Sequence, residues 1–151
     1  MKAKRTWIVI ADAGRAMIFL NEGPSSGMHA VEGATFENPN VHMHARDFSS
    51  DRPGRSVESV GGARHAEEPR TDPHRQDKAN FAKSVASYLE QAAQDDRFDR
   101  LVLVAPPTML GDLRGMLGKH AAPLVSGELG KDLMKTPTKE LAEHLRSVVR
   151  V

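Results

Sequence analysis

The chain has 151 residues, 39% of them apolar and 5% aromatic, and its 21 basic and 20 acidic side chains leave a formal net charge of +1. That length fits a single domain that buries well over half of its unfolded surface, without staples. Near-neutral charge excludes a uniformly basic nucleic-acid binder, so such a role needs a local patch; the lack of cysteine excludes disulfides, thiol nucleophiles and cysteine-based zinc sites.

The amino terminus, MKAKRTWIVIADAGR, opens with basic residues like a secretory leader. Its apolar run covers only Trp7 to Ala11 before Asp12 interrupts it, which is too short for a leader's apolar stretch. Nothing elsewhere approaches the roughly 18 apolar residues of a membrane helix. The expectation is a cytoplasmic chain with no membrane partner.

Thr6 to Ala11 (TWIVIA) reads as a strand, Asp12-Ala13-Gly14 as a tight turn, and Arg15 to Asn21 (RAMIFLN) as the returning strand. NEGPSSG is a loop. Met28 to Phe36 reads as a third strand, weakened by Gly33. From about residue 37 to 76 no period is visible. That stretch holds four of the seven histidines, His42, His44, His65 and His74, and six arginines, Arg46, Arg52, Arg55, Arg64, Arg70 and Arg75, balanced by as many carboxylates or more. A polar loop of that length inside one domain is either functional or disordered.

Asp77 to Ala93 then places Phe81, Val85, Tyr88, Leu89 and Ala92 on one helical face, with Asp77 as N-cap or first-turn acid. Arg100 to Ala105 (RLVLVA) is a buried strand ended by Pro106-Pro107. Thr108 to Leu117 reads as a short helix, Pro123 to Leu129 as a strand. A last helix starts at Thr136-Pro137, with threonine as cap and Leu141, Leu145 and Val148 as its apolar stripe. The order is three strands, a long loop, then α-β-α-β-α. It predicts one α/β domain over residues 1–151 with a mixed sheet and helices packed on it.

Several residue types invite chemistry. His42 and His44 alternate, and with His65 and His74 they make a weak metal-site candidate; the plain alternative is polar histidines in an exposed loop. Asp12, ahead of glycine in a tight turn, reads as structural. Neither G-x-S-x-G nor GxxxxGK[ST] occurs, so neither a hydrolase of the nucleophile-elbow type nor a triphosphatase is expected. Gly111, Gly115 and Gly118 share a helix face, for which close helix packing is a sufficient reason. Arg114 is a candidate anion-binding residue, with an ion pair to Asp112 or another acid as its alternative. No cofactor is expected.

TWIVIADAGRAMIF at 6–19, DRPGR at 51–55, RLVLVAPPTMLGDLR at 100–114 and ELGKDLMKTPTKELAEHL at 128–145 together resemble the bacterial host attachment protein family, described as required for attachment to host cells. That family is in turn similar, more remotely, to the middle domain of eukaryotic-type peptide-chain release factors. There a Gly-Gly-Gln loop enters the peptidyl transferase centre and promotes peptidyl-tRNA hydrolysis. The resemblance puts Gly61-Gly62 in the corresponding place, but the third residue is Ala63. Alanine has no polar group with which to position water, which argues against hydrolysis.

What remains of that resemblance is a loop. Adjacent glycines let backbone N–H groups approach a phosphate without steric cost, and Arg52, Arg55 and Arg64, with His65 beside them, suit RNA phosphates. The plain alternative is a flexible, solvated loop. Three functions follow as expectations. The first is a non-enzymatic module that binds RNA, with the ribosome or tRNA as partner. The second is a protein-interaction factor in host attachment, its loop folding on a protein partner. The third is a metal-assisted hydrolase using the loop histidines.

Overall fold

The computed structural model describes residues 4–39 and 73–149, the side chains of 73 and 74 excepted. Its centre is β1 (Thr6–Ala11), buried at every position. A strand can be buried throughout only if it has neighbours on both edges and cover on both faces, and β1 has all four. On one edge β2 (Arg15–Asn21) pairs with it antiparallel, from Thr6↔Asn21 to Ala11↔Ala16. On the other, β4 (Arg100–Val104) pairs with it parallel, from Thr6↔Arg100 to Ile10↔Val104. With β3 (His29–Glu37) outside β2 and β5 (Val125–Leu129) outside β4, the sheet has the order β3-β2-β1-β4-β5. It is antiparallel on the meander side and parallel on the other, the mixed sheet that the element order predicts.

Alternation along the strands divides the core in two. Trp7, Val9 and Ala11 of β1, with Leu101 and Leu103 of β4, face α1 (Pro73–Gln94) and α2 (Pro107–Met116), which contribute Phe81, Val85, Leu89, Met109 and Leu113. Ile8, Ile10, Val102 and Val104 face the opposite way. They are covered by Leu133 and by Leu141 and Leu145, which lie in and just after α3 (Thr138–His144). The result is three layers, helices on both faces of one sheet. Trp7 is the centre of an aromatic stack: Phe98 lies 4.8 Å away, Tyr88 6.1 Å, and the Arg97 guanidinium sits 5.0 Å above the indole.

The strand boundaries predicted for β1 and β2 hold to the residue, and the third strand is displaced by one. Gly33 has φ +77°, and the β2–β3 register shifts between Met17 and Phe19. The glycine that weakens the strand pattern thus sits in a bulge rather than ending the strand. α1 begins at Pro73, so Asp77 lies inside the helix instead of capping it. The stripe of apolar residues starts only at Phe81, so periodicity carries no signal for the turn before it. Pro137 occupies the cap of α3, with no side-chain cap hydrogen bond, so Thr136 is not the cap that the sequence suggests. Gly111 and Gly115 have open space where a Cβ would stand, so helix packing does not explain them. Gly118 does meet a neighbour, Glu90.

Among the described residues no helix is long and apolar enough to cross a membrane.

Candidate functional site

At the carboxyl ends of β1 and β4 the chain leaves in opposite directions. After Ala11 it turns back into β2, on one side of β1. After Val104 it enters α2 and then β5, on the other side of β4. Divergence of this kind opens a crevice at the carboxyl edge of the parallel strands, where open α/β sheets place their ligands. Here the crevice is a cleft of about 880 Å³.

Its first wall is the β1–β2 turn. Asp12 Oδ1 accepts hydrogen bonds from the Gly14 and Arg15 N–H groups, both at 2.8 Å, and Asp12 N donates to Arg15 O at 2.9 Å. The aspartate is thereby a turn residue, the role its place ahead of glycine predicts. The second wall is the start of α2, where Pro106 and Pro107 stop β4 and set the helix going; Leu110 N donates to Pro106 O. Thr108 and Met109 of that first turn line the cleft. The third wall joins the end of β3 to the start of α1, and the fourth is the segment after β5, with Asp132, Met134 and Lys135.

Asn38 holds the third wall together. It is only 6% exposed, although polar. Its backbone N–H donates to Gly14 O at 2.9 Å, and its Nδ2 donates to Ala13 O at 3.2 Å and, more weakly, to Asp77 O at 3.5 Å. One amide side chain thus ties the β1–β2 turn, the end of β3 and the opening turns of α1. Such a buried amide is stable only when its donors are met.

The charges around the cleft are mostly matched. Arg75 of α1 gives both terminal nitrogens to the Asp112 carboxylate of α2, at 2.7 and 2.6 Å, a bidentate pair that closes one side. Arg15 stands 3.5 Å from Glu37. Asp132 Oδ1 accepts the Met134 N–H at 3.2 Å. Lys78 and Lys135 line the cleft and, among the described residues, form no ion pair.

Away from the cleft, Glu90 of α1 fastens the turn that follows α2. It accepts the His120 and Ala121 N–H groups at 2.9 to 3.1 Å, and its Oε2 lies 2.6 Å from His120 Nδ1. Burial pushes this carboxyl upward, but hydrogen bonds from Ala121, His120 and Gln94 outweigh it and bring it down to about 2. Asp99 is also held at about 2, chiefly by the side-chain and backbone hydrogen bonds of Arg5.

Of the residues singled out from the sequence, Arg114 donates from Nε and Nη2 to Glu128 at 2.9 to 3.1 Å, the ion-pair alternative with a different acid from Asp112. Arg52, Arg55, Gly61, Gly62, Arg64 and His65, and the histidines His42 and His44, lie outside the described residues. So does most of the polar stretch at 37–76, of which only the two ends are described. Of the residues that build the cleft, Asn38, Arg75 and Lys78 fall in none of the family-like segments, while Asp112 and Lys135 lie in those at 100–114 and 128–145 without a chemical motif to mark them. The one signal available was position: Asn38 directly follows a strand, and Thr108 follows a proline pair that ends another.

Residues 7–145 match the family model described as "Protein required for attachment to host cells". No curated protein matches the chain. Among solved structures, the fold is similar to that of an archaeal translation termination factor, aRF1, with a TM-score of 0.51 at 14% sequence identity. The likeness covers 97% of this chain but 35% of the factor, so the chain spans about a third of that protein's length.

Proposed function

The chain belongs to the family of proteins required for attachment to host cells, and we propose that within it the protein works as a non-enzymatic RNA-binding module, with the ribosome as its partner. The binding segment in this reading is residues 51–65, with Arg52, Arg55 and Arg64 on phosphates and Gly61-Gly62 allowing close backbone approach. One observation carries it. Pro39, just after β3, and Arg75, in the first turn of α1, line the same cleft, and Asn38 bridges the two sides. Residues 51–65 lie between the end of β3 and the start of α1 in the chain, and binding residues are commonly loops positioned by a scaffold. The fold shared with a translation termination factor supports the same direction by analogy alone. Ala63 is the reason for leaving hydrolysis out.

The test is co-sedimentation with ribosomes from the native lysate on sucrose gradients, with and without nuclease. The expected result is co-migration that a Gly61→Val, Gly62→Val double variant abolishes. Each phosphate contact on a single strand contributes about −0.7 to the slope of log affinity against log salt. Replacing the three arginines should therefore flatten that slope by about 2. A protein that stays at the top of the gradient would remove the ribosomal reading, and binding that survives nuclease would turn it toward a protein partner.

A further inference from the structure

We propose that the cleft at the carboxyl ends of β1 and β4 is itself a binding site for a phosphate monoester of mononucleotide size, with Lys78 and Lys135 holding the phosphate. This rests on described residues only and is independent of RNA binding by residues 51–65. Size comes first: about 880 Å³ falls within the range of small-molecule sites, roughly 300–1,000 Å³, and is far more than one oxyanion needs. Position comes second, for the cleft lies where the chains leaving β1 and β4 diverge.

Chemistry narrows the class. Arg75 is committed to Asp112 and Arg15 faces Glu37, while Asp12 and Asp132 each use an oxygen on turn amides. Among the described residues, two ammonium groups from different walls are left for a ligand, Lys78 of α1 and Lys135 after β5. The Thr108 hydroxyl stands at the opening turn of α2, whose first N–H groups have no acceptor within the helix. These are donors, and they suit a doubly charged phosphate better than a neutral ligand. Met109 and Met134 supply an adaptable apolar wall for a flat body. The second oxygens of Asp12 and Asp132 are acceptors for sugar hydroxyls or an exocyclic amine. A bare phosphate would use the lysines and leave the rest of the cleft empty, whereas a mononucleotide uses all of it.

The experiment is a titration of the full chain with nucleoside 5′-monophosphates, the matching nucleosides, ribose 5-phosphate and inorganic phosphate. Amide shifts by NMR would report the place, and calorimetry the affinity. The expected result is saturable binding of at least one nucleoside monophosphate, with shifts at Gly14, Thr108 and Met134. The nucleoside should bind at least tenfold more weakly. A Lys78→Ala, Lys135→Ala double variant should also lose at least tenfold in affinity, with an unchanged unfolding midpoint. A Lys78→Arg, Lys135→Arg pair should retain most of it. Absence of shifts in the cleft with every monophosphate tested overturns the inference, as does inorganic phosphate binding as tightly as the nucleotides, or a lysine-to-alanine variant that binds normally. Ribosome co-sedimentation, run on the same variants, separates the two ideas, because a lysine pair that fails here leaves residues 51–65 intact.

Discussion

Replacing Asn38 by alanine should destabilise the protein by about 1–2 kcal/mol. The figure follows from what the amide does. Among the described residues its Nδ2 makes one sound hydrogen bond, 3.2 Å to Ala13 O, and one marginal one, 3.5 Å to Asp77 O. A neutral hydrogen bond contributes on the order of 0.5–1.5 kcal/mol net, and the weaker contact adds the smaller part. Ala13 is only half-buried, so water replaces part of what its carbonyl loses. The backbone bond from Asn38 N to Gly14 O survives the substitution. Urea unfolding followed by the fluorescence of Trp7, the chain's single tryptophan and 2% exposed, measures the change directly. Hydrogen exchange should show where it falls: faster exchange in the opening turns of α1 and in the 12–15 turn, with the β1–β4 amides little altered locally. Asn38→Asp should be worse than Asn38→Ala, because a buried carboxylate would face carbonyl oxygens instead of donating to them. If Asn38→Ala unfolds within about 0.3 kcal/mol of wild type, at the resolution such measurements allow, the amide does not hold these three elements together and the argument for a rigid anchor fails.

Trp7→Ala removes the hub of the aromatic stack and should cost about 3–5 kcal/mol, read by circular dichroism in urea. Gly118→Ala would place a Cβ 2.5 Å from Glu90 Cδ, displacing the carboxylate from the 120–121 amides. Its effect on stability should therefore vanish in a Glu90→Ala background, a coupling that a double-mutant cycle reads. The Glu90 and Asp99 carboxyls are both held at about 2, below their ordinary 4.5 and 3.8. Their contribution to stability is complete above the ordinary values and is lost as pH falls toward 2. Glu90→Gln and Asp99→Asn should each flatten the acid arm of the stability curve between about pH 5 and pH 2. An unchanged acid arm in both variants would contradict the assignment.

The layers of this fold were legible because they are written in short-range patterns. TWIVIA and RLVLVA read as strands from composition alone, and the 12–14 turn between β1 and β2 from Asp and Gly, since each signal lies within a few residues. The cleft is written otherwise. Arg75 meets Asp112 across 37 positions, and no local period encodes that pair. Asn38 has nothing to mark it except its burial, which a polar residue after a strand does not advertise. The turn preceding Asp77 was missed for a related reason: Pro73 starts a helix well, but without an apolar stripe it is indistinguishable from loop. The glycines of α2 show the opposite error, a regular spacing that invites a packing explanation the open space around Gly111 and Gly115 denies.

The place of β1 between a near neighbour and a distant one has a consequence for synthesis. Its pairing with β2 needs only a tight turn and can form within microseconds of both strands being available. Its other edge waits for β4, whose flanking Asp99 meets Arg5 across 94 residues. At a translation rate of roughly 5–20 residues per second, that interval is on the order of 5–20 s. During it the nascent meander carries an unpaired, largely apolar strand along its edge, the kind of template that invites pairing with another chain. Conditions that slow elongation between the third strand and β4 should raise the aggregated fraction of newly made protein, while leaving the equilibrium stability of the finished fold untouched.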